Sequence, residues 1–219
     1  MWGGRPIRFD AIFFDFDGVL AESADIKSDA FRDLYGEFGK EIVEKCVAYH
    51  CYHAGISRVV KIKKYHDEYL GIQLNDDELA VWVKRYSDIV EDKVVNAPAV
   101  PGVVAFLESA PQNLPLYVIS GTPEDELLRI VKARNWGKHF EEVHGSPRLK
   151  PIIIEDILKR TGLARERVLF VGDAMTDYNA AKDTGLAFLG RVAPGDENLF
   201  PDGTTLVDDL TGLSDFIHA

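Results

Sequence analysis

The chain has 219 residues, 46% of them hydrophobic and 28% charged, with a formal net charge of -11 at pH 7. That hydrophobic content supports a sizeable core and excludes a disordered chain, while the acidic balance opposes non-specific binding to nucleic acid or to an anionic membrane. No apolar run approaches the roughly 20 residues of a membrane span, the opening MWGGRPIRFD lacks a signal-peptide core, and Cys46 and Cys51 are too few for a disulfide framework. The expectation is a cytoplasmic protein with no nucleic-acid or membrane partner, its oligomeric state left open.

The first element is the run Ile12, Phe13 and Phe14, apolar at consecutive positions like a parallel strand covered on both faces. It stops abruptly at Asp15, Phe16, Asp17 and Gly18, which puts two carboxylates at the strand's C-terminal end, where open α/β sheets place chemistry. Like charges about 4 Å apart repel by about 4 kcal/mol at an effective dielectric near 20, so a divalent cation or a held proton is expected between them. Gly18 permits the immediate turn that lets both reach one ligand.

From Glu22 to about Val95 the periodicity is helical. Ile26, Ala30, Phe31, Leu34, Tyr35 and Phe38 predict a helix ending at Gly39, and Ile42, Val43, Cys46, Val47 and Tyr49 a second stopping near Gly55. A third runs through Val59, Ile62, Tyr65, Tyr69 and Leu70 to Gly71, and a fourth, capped by Asn75 or Asp76, through Trp82, Tyr86 and Val90. After Pro101-Gly102 the pattern alternates: a helix with Val103 and Phe106, the strand LYVIS ending at Ser120, and a helix with Thr122 as N-cap and Pro123 at its first position. A weak strand near Glu142–His144, a helix from about Pro151, the strand Val168–Val171 and the loop Gly172-Asp173 through Asp177 follow. A helix near Tyr178, strands near Ala187 and Thr205 and a terminal helix complete a doubly wound parallel sheet interrupted after its first strand.

Asp15 with Asp17, then Ser120, Lys150, and Asp173 with Asp177 all fall at strand ends or helix starts, which a parallel sheet brings to one edge. Singly, each has a plain structural reading: a strand-end cap for Ser120, a solvated helix-start residue for Lys150, an N-cap for Asp173 or Asp177. Together and in this order they resemble the motifs of the haloacid dehalogenase-like hydrolase superfamily, in the branch that includes phosphoglycolate phosphatases and β-phosphoglucomutases. The first motif matches Phe14-Asp15-Phe16-Asp17-Gly18-Val19, the second Ser120, the third Lys150, and the fourth Gly172-Asp173 with Asp177 and Asn179-Ala180-Ala181.

The resemblance implies a Rossmann-like α/β core, residues 1–20 and 96–219, with an α-helical cap inserted at residues 21–95. It implies Asp15 as a nucleophile that becomes an aspartyl phosphate and Asp17 as acid and then base. Mg²⁺ would be bound by the carboxylates of Asp15 and Asp173 and the main-chain carbonyl of Asp17, with Asp177 orienting ligands. Ser120, the Gly121 amide and Lys150 would bind phosphate oxygens. His53 and Arg58 in His53-Ala54-Gly55-Ile56-Ser57-Arg58 are substrate-binding candidates, because this stretch resembles the Gly-x-Ser-Arg cap segment of β-phosphoglucomutases. Lys27 stands where those mutases carry a histidine. The expected function is a Mg²⁺-dependent phosphatase for a small soluble phosphomonoester; the alternatives are a phosphosugar mutase and a non-catalytic phosphate binder. Cys46, His50, Cys51 and His53 include zinc-ligand types but lack paired Cys-x-x-Cys spacing. Closure of the cap would need hinges near residues 21–24 and 95–99.

Overall fold

The computed structural model describes residues 8–53 and 55–218, so the N-terminal stretch read above lies mostly outside it. Strand β1 (Ala11–Phe14) is fully buried, as its unbroken apolar run demands. Helices α1 (Ala24–Tyr35), α2 (Lys40–Tyr52), α3 (Arg58–Lys64) and α4 (Asp76–Asn96) then intervene before α5 (Val103–Ser109) and β2 (Leu116–Pro123). The remaining order is α6 (Glu124–Ala133), β3 (Glu142–Ser146), α7 (Lys150–Thr161), β4 (Val168–Gly172), α8 (Met175–Thr184), β5 (Ala187–Arg191), β6 (Leu206–Val207) and α9 (Leu213–Ile217).

The six strands form one parallel sheet in the order β3-β2-β1-β4-β5-β6. Alternate residues of β1 serve opposite faces. Ile12 and Phe14 pack with Phe106, Leu127 and Ile130 of α5 and α6, while Ala11 and Phe13 pack with Ile153, Ile157 and Ala180 of α7 and α8. Each buried Phe contributes about 1.5–3 kcal/mol relative to exposure. Phe14 stands opposite both Val118 and Val171, so the residues that follow the three central strands emerge at one level. That register is what positions the site.

The chain leaves and re-enters the sheet through two adjacent passages. Glu22 N donates to Pro98 O at 2.9 Å and Val100 N to Leu20 O at 3.1 Å, with Ala21 bridged to Ala99. Within the inserted helices, Asn75 is the one of the two expected caps that α4 uses, and Asn75 and Glu78 cap it reciprocally. The third predicted helix ends at Gly71 as expected but changes type on the way. After Lys64 it widens into a π-helical turn over Tyr65–Leu70, closed by Gly71 at φ 67°. This turn buries Tyr65 and His66, which bond to Cys46 O at 2.8 Å and Tyr35 Oη at 3.1 Å.

The start of α6 also differs from expectation. β2 runs on through Pro123, and the Thr122 hydroxyl, predicted to cap the helix, donates instead to Asp17 Oδ2 at 2.9 Å. A bond to a carboxylate outcompetes a neutral cap, and Glu124, Asp125 and Glu126 stabilise the helix N-terminus in its place.

At the outer edge, Arg160 of α7 donates to both oxygens of Glu142 on β3 (2.9 and 2.8 Å), and His144 Nε2 lies 2.6 Å from Oε2. These bonds, the Arg160 pair foremost, bring the Glu142 carboxyl down to about 2. A depressed carboxyl contributes stability above its unfolded value near 4.5, and that stability is lost as pH falls towards 2. Glu142→Gln is therefore expected to flatten the acid limb: between pH 5 and pH 3 the urea midpoint of the parent should fall more than that of the variant. Equal falls would refute this linkage.

Candidate active site

Asp15 follows β1 directly, its amide bonded to Val171 O at 2.9 Å on the neighbouring strand. Asp173 follows β4, and Asp177 sits in the first turn of α8, where one oxygen accepts from Ala174 N at 3.1 Å. One carboxylate oxygen from each of Asp15, Asp173 and Asp177 lies within 4.8 Å of the others. Lys150, buried at the start of α7, ion-pairs with Asp177 and places Nζ 3.1 Å from Asp15 Oδ1. The alignment of the latter contact leaves Asp15 Oδ1 buried and without a hydrogen-bond partner among the described residues.

One lysine does not neutralise three carboxylates. Burial, opposed by Lys150 and reinforced by Asp177 and Asp17, pushes the Asp15 carboxyl up to about 7. Burial and the Asp15 charge likewise raise Asp173 well above its ordinary range. The site therefore has oxygen donors, excess negative charge and an orphaned buried carboxylate oxygen, the features that fit a hard divalent cation. Gly18, at φ 75°, gives this cluster its room: a Cβ there would lie 1.9 Å from Asp173 Oδ2.

Asp17 is separated from that group. Its side chain ion-pairs with Lys27 and accepts from Ser23 Oγ at 2.7 Å and Thr122 Oγ1 at 2.9 Å. Burial works to raise its carboxyl, but Lys27 and the hydrogen bonds from Lys27, Ser23 and Thr122 hold it below the usual carboxylate range. Of the four aspartates grouped as metal residues from sequence, only Asp15, Asp173 and Asp177 bring their side chains together; Asp17 could contribute only through its main chain.

Ser120 Oγ, at the end of the LYVIS run, accepts from Thr122 N at 3.1 Å. Gly121 lies against the inserted segment, where an added Cβ would be 2.5 Å from Gly55 O. Between this floor and helices α1–α4 is a cavity of about 50 Å³, lined by Asp15, Asp17, Ser120, Gly121 and Asp173 below. Its upper wall includes Phe31, His50, Ile56, Arg58, Lys61 and Tyr86.

The cap candidates fare differently. His53 is outside the cavity lining and packs on Tyr49 and Tyr52, with ring centroids 4.3 and 4.8 Å away. His50 lines the cavity instead and bonds to Lys61 at 2.8 Å through Nδ1. The cue was available in sequence, since His50 lies four residues after buried Cys46 on one face of α2. Arg58 lines the cavity but is held by Glu126 of α6. Lys27 and Thr122 are the other site residues whose engagement with Asp17 was not anticipated; Lys27 follows Ser23 by one helical turn.

Carboxylates and a buried lysine at the C-terminal edge of a doubly wound sheet define an α/β protein equipped to hold a cation beside an anion. The chain belongs to the haloacid dehalogenase-like hydrolase family, whose model matches residues 12–191. It is 26% identical over 188 residues to a phosphoglycolate phosphatase of Pseudomonas savastanoi pv. phaseolicola, covering 80% of this chain and 66% of the relative. The chain spans 44% to 66% of the length of the first curated relatives it matches. A crystal structure of a predicted phosphoglycolate phosphatase from Haemophilus somnus 129pt is similar with a TM-score of 0.74 and 20% identity, over 95% of this chain and 98% of that one. CbbY from Rhodobacter sphaeroides, as its D10N mutant with xylulose-(1,5)bisphosphate, is similar with a TM-score of 0.73 and 17% identity, over 94% and 96%.

Proposed function

We propose that this protein is a Mg²⁺-dependent phosphatase that hydrolyses a small phosphomonoester through an aspartyl phosphate on Asp15. The observation that carries the reading is the buried Asp15 at the end of β1, with an unbonded oxygen, Lys150 at 3.1 Å and a cavity in front of it. A cavity of about 50 Å³ has room for about four waters, which suits a phosphoryl group with a short remainder. The phosphoglycolate phosphatases among the relatives support the same substrate class.

In this reading an Asp15 oxygen attacks phosphorus and the bond to the leaving oxygen breaks, with Asp17 delivering the proton. Asp17 then takes a proton from the water that attacks the acyl phosphate, releasing inorganic phosphate and restoring Asp15. Lys27, Ser23 and Thr122 fix the Asp17 rotamer and favour its carboxylate, the form needed for the second step. An arriving phosphate dianion raises the proton affinity of Asp17 for the first. Ser120, the Gly121 amide and Lys150 would hold the equatorial oxygens. Asp15, Asp173, Asp177 and the main chain of Asp17 would hold Mg²⁺, which supplies neutralisation of phosphate charge when bound. His53 and Arg58 are given no substrate contact, since one is off the cavity and the other is held by Glu126. The test is Mg²⁺-dependent phosphate release from a panel of small phosphomonoesters. No release from any member, with the protein folded and metal bound, would overturn the reading.

Residues 21–95 would act as a cap that closes on a core of residues 1–20 and 96–219, pivoting at 21–24 and 95–99. Gly55 supports this, because a Cβ there would lie 1.8 Å from Thr176 Oγ1 and 3.5 Å from Lys150 Nζ. Gly55→Val is expected to prop the cap away from Asp15 and lower kcat/KM about 100-fold, the scale of an ångström's misplacement, with little change in Tm. Unchanged kinetics would count against closure at this contact.

A further inference from the structure

Arg58 and Lys61 are the cavity-lining cations of α3; Lys61 bonds to His50 Nδ1 at 2.8 Å, and the charge of Arg58 is already taken. Its two terminal nitrogens donate to the two oxygens of Glu126, each at 2.6 Å; Nη1 also reaches Ser87 Oγ at 2.7 Å, and the guanidinium lies 4.6 Å from the Tyr86 ring centroid. Arg58 is 5% and Glu126 2% exposed, so both charges are desolvated and each depends on the other. Glu126 comes from α6, across the boundary between the inserted helices and the sheet-bearing part. The same helix also contacts α4 through Arg129, bidentate on Glu91 at 2.7 and 2.9 Å, and Arg134, at the helix end, donates to Val94, Val95 and Ala97 carbonyls. α6 is thus the surface on which the inserted helices rest, and Glu126 meets them at the cavity wall.

We infer that Glu126 is a built-in anion that occupies Arg58 and thereby excludes substrates carrying a second phosphate. A guanidinium facing the cavity unpaired would be a strong site for a distal phosphate, since its planar donors match tetrahedral oxyanions in pairs. With Glu126 in bidentate contact, a second phosphate must either displace a buried carboxylate, leaving it unpaired, or compete for Lys27 or Lys61, which are engaged by Asp17 and His50. The pair thus selects monophosphates by charge and holds α3 over Asp15 without help from the substrate. Glu126 is a positioning residue: it acts through Arg58. This inference rests on reading the cavity as a phosphomonoester site.

The test compares propane-1,3-diol monophosphate with its bisphosphate, a pair that differs by one phosphate. The parent is expected to show kcat/KM at least about tenfold higher for the monophosphate. Glu126→Gln keeps the shape and removes the charge, so the preference should narrow about tenfold or more, through the KM for the bisphosphate rather than kcat. A folded Glu126→Gln with the parental preference overturns the inference. Should that variant fail to fold, Glu126→Asp loosens the pair while retaining the charge; a partial gain for the bisphosphate supports the inference, and none overturns it. Thermal shifts measured in Asp15→Asn backgrounds give a readout independent of turnover. The bisphosphate should stabilise the Glu126→Gln chain more than the monophosphate does, and should not do so with Glu126 present. Absence of phosphate release from every chain would sink the phosphatase reading, while these shifts would still decide the role of Glu126.

Discussion

Asp15→Asn is expected to abolish phosphate release, by roughly four orders of magnitude or more, because an amide cannot supply the attacking oxygen and no second carboxylate among the described residues is placed to replace it. Asp173 and Asp177 are held by other elements, and the Asp17 side chain is tied to Lys27, Ser23 and Thr122. The same substitution carries a second expectation that separates lost chemistry from lost structure. The Asp15 carboxyl is pushed up to about 7 by burial against Asp177 and Asp17, so above that pH its charge opposes folding in the absence of a cation. In EDTA at pH 8, Asp15→Asn should be at least as stable as the parent, and Mg²⁺ should raise its Tm less. Phosphate release within tenfold of the parent would refute the nucleophile. A large Tm loss in EDTA would refute the electrostatic account of the cluster.

The floor of the candidate site was legible because it depends on local signals. A buried parallel strand needs a continuous apolar run, and the first polar residue after that run stands near the sheet edge, which marks Asp15, Ser120 and Asp173 without knowledge of packing, even though β2 itself continues past Ser120 to Pro123. The wall above was not legible to the same degree. Arg58 and Glu126 are 68 residues apart, and their meeting depends on how α4, which carries α3, packs against α6, which no one helix's sequence encodes alone. Thr122 was misread for a related reason: its local preference for capping was overridden by a carboxylate 105 residues distant. His53 was singled out by the resemblance of residues 53–58 to a cap segment, a signal that carries no information on which face of α2 turns inward; α2 continues to Tyr52 and buries His50 with Cys46. Reading i, i+4 from Cys46 would have found it.

The second large effect belongs to Lys150, to which the proposed function gives a catalytic role beside its structural one. Its ammonium is 6% exposed and lies between Asp15 and Asp177, with Asp173 adding a third charge. Burial alone would depress its proton affinity, but Asp15 and Asp177 outweigh burial and raise it, so it stays charged at all ordinary pH. Lys150→Met would remove the one cation that the described residues place among these carboxylates and leave three with no positive partner among them at that point. Breaking a buried pair from one side costs about 3–5 kcal/mol, and a loss of that order in urea-unfolding free energy is expected in EDTA. Mg²⁺ should recover part of it, since a divalent cation relieves the same repulsion. Phosphate release should nonetheless stay down by about 100-fold or more with Mg²⁺ present, because the cation cannot replace a donor aimed at the transferring oxygens. A double-mutant cycle with Asp15→Asn sharpens the point. If the Lys150 charge acts by offsetting Asp15, the double variant should be more stable in EDTA than the sum of the single effects. Strict additivity would mean that Lys150 serves Asp177 alone, and the offsetting role assigned to it beside the nucleophile would fall.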